Sequence, residues 1–156
     1  MSIFSLLPDI LPMILPSAVH VTKAEDLEAQ RATGSNSGMV RQGAIVGKSD
    51  KMCATAKARC ASAVHHHGEQ VEDTIIYAAS GTGILMTNPG NEGDLVKHEL
   101  SPGDFAFVPP WTEHQEVNDT DEDVVWILIR NGPTPLVFYL EDWGGNEAKR
   151  VENTES

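Results

Sequence analysis

Residues 63–83 read AVHHHGEQVEDTIIYAASGTG: three histidines run through an acidic cluster into an apolar segment that ends in paired glycines. They lie mid-chain, between two segments with strand character, and so are not a terminal tag. In an extended segment side chains alternate faces, which sends His65 and His67 to one side and His66 to the other. Two imidazoles on one face of a strand can chelate one ion. His-x-His pairs are also common in loops and on sheet surfaces, so a further ligand has to come from elsewhere.

Residues 101–118, SPGDFAFVPPWTEHQEVN, supply one. The spacing is Gly103, five residues, Pro109, one residue, Trp111, two residues, His114, three residues, Asn118. Taken together the two segments, about residues 59–118, resemble the two sequence motifs of the cupin superfamily. In the second motif this chain departs only at Trp111, which stands where the pattern has glycine. The resemblance makes His114 a metal ligand, and it carries His65 and His67 over from the first motif. There Arg59 replaces the leading glycine. The carboxylate is displaced: counting forward from His67 reaches Glu72, whereas counting back from Gly81 reaches Thr74. Strand side chains repeat every two residues, so both share a face about 6.6 Å apart. Glu72 is taken as the fourth ligand, with Glu69, Gln70 or a water as alternatives.

The resemblance implies an all-β fold, a small conical cupin barrel built as an antiparallel double-sheet jelly roll around one divalent ion. Fe(II) is favoured; Mn, Ni, Cu or Zn also suit imidazole with or without a carboxylate, and open coordination positions remain for water or substrate. Glu72 and Arg59 are the candidate catalytic side chains. Arg59 and Lys57 also form a locally basic rim suited to an anionic, chelating small molecule. Arg130 could bind a substrate carboxylate, although an arginine closing a strand is more often exposed. The expected pocket wall is Ile76, Phe105, Phe107, Trp126 and Leu128, each of which reads equally as plain core.

The remaining sequence agrees with a β-barrel. Short alternating segments separated by Gly, Pro and Asn predict strands at 39–46, 51–58, 62–67, 73–79, 82–87, 94–99, 104–109, 113–118, 123–130 and 135–140. The turns NPGNEG and SPGD separate several of them. A short helix is expected at 22–31, TKAEDLEAQR. With 156 residues the chain fits one domain. The division is an N-terminal arm and helix at 1–38, a cupin barrel at 39–142 and an acidic tail at 143–156.

A formal charge of −12 makes phosphate binding electrostatically unfavourable, so nucleic acid is excluded as a partner. Cys53 and Cys60 have neither redox nor zinc-motif spacing and read as reduced thiols. The apolar segment IFSLLPDILPMILP at 3–16 has no basic residue before it, contains Asp9, and is broken by Pro8, Pro12 and Pro16. It is neither signal peptide nor membrane span, and a soluble cytoplasmic protein is expected. That segment must still be covered, and an arm laid over a neighbouring subunit predicts a homodimer.

Two chemistries fit the expected site. One is dioxygenation of an enol- or phenol-like chelating substrate; the other is non-redox decarboxylation, isomerisation or cyclisation. Two readings from other classes remain, a non-catalytic binding cupin and a metal-free isomerase using histidine with Glu72 as a base and acid pair.

Overall fold

The structure, a computed structural model, describes residues 18–33, 40–58, 65–66, 72–89, 94–140 and 142–144, the side chains of 31–33, 57, 58, 65 and 66 excepted. The expected N-terminal arm, Arg59, Cys60, His67, Glu69, Gln70 and most of the acidic tail lie outside the described residues. Within them there is one helix, α1 (Ala24–Thr33). Ten strands follow: β1 (Val40–Ile45), β2 (Met52–Ala58), β3 (His65–His66), β4 (Thr74–Ser80), β5 (Gly83–Asn88), β6 (Val96–Leu100), β7 (Phe105–Val108), β8 (Glu113–Val117), β9 (Val125–Asn131) and β10 (Phe138–Tyr139). They form two antiparallel five-stranded sheets, β1-β2-β9-β4-β7 and β10-β3-β8-β5-β6.

Alternation decides what enters the space between the sheets. In β4 the even positions Thr74, Ile76 and Ala78 are buried, and in β9 so are Trp126, Leu128 and Arg130. Leu128 stands opposite both Thr55 and Ile76 in the ladders. Ile76, Ala78, Leu85, Leu100, Val108, Val124, Trp126 and Leu128 make one contiguous core. Burying side chains the size of Ile76 or Leu128 stabilises by roughly 1.5–3 kcal/mol each.

Two members of the expected pocket wall are elsewhere: Phe105 and Phe107 are 69% and 61% exposed. The register explains it. Phe105 pairs with Tyr77 and Phe107 with Ile75, both on the outer face of β4, so Ala106 and Val108 are the inward positions of β7. An apolar row thus crosses the outside of this sheet, Phe107–Ile75–Ile129–Ala54.

Polar contacts dock the helix against β1. Gln42 Nε2 donates to the Leu27 carbonyl at 2.6 Å, and Gln30 Oε1 accepts from the Gly43 amide at 2.8 Å. Asp26 reaches back to the Lys23 amide at 3.2 Å, satisfying a donor at the helix start. The SPGD segment closes as the type of turn that needs a positive φ at its third residue: Gly103 has φ 98° and the Asp104 amide donates to the Ser101 carbonyl at 3.0 Å. No helix among the described residues is long and apolar enough to cross a membrane.

Candidate metal centre

The interior of the barrel is divided along its length. Toward one end the inward positions are apolar, with Trp126 and Ala78 in register and Leu128 and Ile76 in register one step on. At the next step they turn polar. Arg130 stands opposite Cys53 on one side and Thr74 on the other, and all three are at most 2% exposed.

The second sheet carries a matching polar row. His65 of β3 stands opposite His114 of β8, which stands opposite Thr87 of β5. Directly opposed positions in an antiparallel ladder share a face, so His65 and His114, taken from motifs some fifty residues apart, occupy neighbouring places on one face of the sheet. His114 is completely buried. Its Nδ1 lies 2.9 Å from the Thr112 carbonyl oxygen. A carbonyl only accepts, so Nδ1 carries the proton and the neutral ring keeps its lone pair on Nε2, the arrangement that suits a metal ligand. On this donor chemistry His114 fits the divalent ion that the sequence motifs imply. Among the described residues no three His, Cys, Asp or Glu side chains form a metal set; the side chains of His65 and His67 are not among them.

Glu72 lies just before β4 and is 4% exposed. Its Oε2 accepts from the Leu136 amide at 3.2 Å. Burial pushes its carboxyl above the usual range, against the opposing pull of the Leu136 hydrogen bond and the Arg130 charge. Cys53 is a free, buried thiol, and burial raises its pKa too, against the pull of the Arg130 charge. Arg130 corrects the expectation of an exposed strand end: it is 2% exposed, and its Nε donates to Thr74 Oγ1 at 3.2 Å. The signal for its burial was present in the alternation, because Trp126 and Leu128 fix the inward parity and Arg130 continues it. Glu116, two residues beyond His114, is also buried and its charge acts on Arg130. Sequence reasoning passed over it.

A cavity of about 810 Å³ lies between the edges β6 and β7, bounded among others by Thr87, His98, Phe107 and Thr112. Neither His114 nor Arg130 lines it.

Trp111 has φ 61° and is the one non-glycine residue with positive φ among the described residues. It occupies the place where the motif pattern has glycine, and an L-residue held there costs about 1 kcal/mol or more. Trp111→Gly is therefore expected to be more stable than Trp111→Ala by about 1 kcal/mol in denaturant unfolding, since both lose the indole and only alanine keeps the strain. The reverse order would show that the turn relaxes freely.

The strands thus form a two-sheet antiparallel barrel with an apolar floor and a polar, histidine-bearing end. Residues 54–130 match the family model described as Cupin domain. Over those residues the chain is a cupin. Across 66 residues, 42% of this chain, it is 33% identical to the glucose-6-phosphate isomerase of Thermococcus onnurineus (strain NA1), and it spans only 34% of that protein's length. In fold it is similar to oxalate decarboxylase of Bacillus subtilis, with a TM-score of 0.61 and 18% identity over 69% of this chain and 29% of that one. It is likewise similar to Peruvianin-I, a cysteine peptidase from Thevetia peruviana latex, with a TM-score of 0.61 and 14% identity over 80% of this chain and 88% of that one.

Proposed function

We propose that the protein is a metal-dependent small-molecule enzyme whose divalent ion is held by His65, His67 and His114, with Glu72 or a water completing the set. The observation that carries this is fully buried His114, its Nδ1 against the Thr112 carbonyl, at a place opposite His65. Such an ion supplies open coordination positions and Lewis acidity, and, as Fe(II), a route to oxygen chemistry. The chain's own contribution is to orient and shield. Thr112 holds the His114 ring in place, and the apolar floor around Ile76 and Leu128 keeps water from the inner end. Burial raises the Glu72 carboxyl above its usual range, and where a water rather than Glu72 completes the set, this side chain is the one we assign to proton exchange. We favour dioxygenation of an enol- or phenol-like chelating substrate.

The second reading is non-redox decarboxylation or isomerisation. It is favoured by the sequence similarity to an isomerase and by the fold shared with a decarboxylase that has Mn(II) centres. Elemental analysis of anaerobically purified protein, followed by oxygen-uptake screening with chelating enols and phenols, separates the two. Bound iron with substrate-dependent oxygen uptake supports the dioxygenase. Turnover without oxygen uptake moves the protein to the second reading, and protein free of metal removes both.

A further inference from the structure

Arg130 is the buried charge that the metal reading leaves unused. Its single hydrogen bond among the described residues runs from Nε to Thr74 Oγ1, and its Nη2 is buried without a hydrogen-bond partner there. A guanidinium N–H left unmatched in the interior forfeits its hydration without return, so a group kept in that state calls for an acceptor that arrives from outside the chain. The surroundings indicate its charge. Arg41, from β1, places a second guanidinium 5.3 Å from the centre of the Tyr139 ring and close enough to Arg130 to weigh on its charge. Glu116 and Glu72 act on the same group from the opposite sheet and from the start of β4, and Nη2 still has no hydrogen-bond partner among the described residues. A planar guanidinium with Nη2 unmatched suits a carboxylate better than an ammonium would.

We propose that Arg130 anchors a carboxylate of the substrate, which makes the site selective for small carboxylic acids. The inference rests on the reading above that the polar end of the barrel takes small molecules, and it adds their chemical class. Arg130 belongs to the row Cys53–Arg130–Thr74 of one sheet, whereas the candidate ligands His65 and His114 belong to the other. A molecule reaching both must therefore carry its carboxylate on one side and its metal-binding atoms on the other.

The probe is malonate, with neutral malonamide as control, titrated calorimetrically into the full-length protein as purified and after chelator treatment. Wild type is expected to bind malonate and not malonamide. Arg130→Met, which keeps much of the side-chain volume, should weaken malonate binding roughly 10- to 100-fold, the size of one charge-assisted pair. Arg130→Lys should recover only part of the loss, because an ammonium cannot present a fork. Equal binding by wild type and folded Arg130→Met, or no malonate binding by wild type, overturns the anchor. Should Arg130→Met fail to fold, the Nε–H resonance of Arg130 in the wild-type protein decides. Movement with malonate alone supports the assignment, and a signal that stays still overturns it. The chelated sample keeps the two readings apart. Arg130-dependent binding that survives chelation holds the anchor even if no metal is found, and metal bound without Arg130 dependence removes the anchor alone.

Discussion

His114→Ala is expected to lose its bound divalent ion on elemental analysis while retaining a folded barrel by circular dichroism. Hydrogen-bond partners one bond removed from a metal are worth roughly 10- to 100-fold in affinity, so deleting a ligand should exceed that. His65→Ala and His67→Ala should behave alike, and His66→Ala should keep the ion, because alternation puts position 66 on the other face. Ligands of an open site contribute little to folding compared with a structural zinc, so the stability cost of His114→Ala is that of an emptied buried position, roughly 1–3 kcal/mol. Glu72→Gln completes the series. A loss comparable to that of a histidine makes Glu72 the fourth ligand, and normal affinity leaves three histidines and water. Identical metal content in every variant and in wild type would sink the whole assignment.

Gly81→Ala should unfold far more easily than wild type, for two separate reasons that add. Gly81 has φ 67°, where an L-residue costs about 1 kcal/mol. A Cβ there would also lie 2.5 Å from the Asp123 carbonyl oxygen and 3.0 Å from the Val124 Cα, both backbone atoms that cannot swing aside. Together they put the cost at roughly 3 kcal/mol or more, a large share of the 5–15 kcal/mol that stabilises an ordinary domain. The melting temperature should fall by about 6–12 °C. Gly47→Ala and Gly103→Ala are the controls: both glycines have positive φ, 64° and 98°, with nothing within 4 Å of the added carbon. Each should cost only about 1 kcal/mol. Equal losses at all three positions would mean that backbone strain alone, and not the approach of the Asp123–Val124 segment, dominates at Gly81.

Much of the fold was legible in alternation and punctuation. Each of the ten predicted strands overlaps an observed one, and the helix expected at 22–31 forms at Ala24–Thr33. The helix begins two residues late because Thr22 gives its hydroxyl to the Ala44 carbonyl and so stays outside it. What one strand's pattern cannot supply is the identity of its neighbour. FAFV offers two aromatic residues on one parity and small or branched residues on the other, and bulk alone favours the aromatics as core. The pairing of Phe105 with Tyr77 and of Phe107 with Ile75 reverses that choice. For Arg130 the alternation of β9 gave the inward parity but not the company it keeps. Its polar neighbours Cys53 and Thr74 come from distant parts of the chain, and only their convergence makes a buried guanidinium tolerable. His114 was legible through its motif spacing, whereas its locked tautomer needed the Thr112 carbonyl, which no spacing reveals.

The place of β9 in its sheet also bears on how the protein reaches its fold. It lies between β2 and β4 and pairs with both along their lengths, although it follows them by much of the chain. Neither earlier strand can complete its ladder by a local hairpin, so the sheet closes only after long loops have been brought together. Pairings of such high sequence separation place folding on the order of milliseconds to seconds rather than microseconds. During synthesis β2 and β4 would emerge with open edges and wait for Val125–Asn131, and Arg130 would join Cys53 and Thr74 only once that strand had been made.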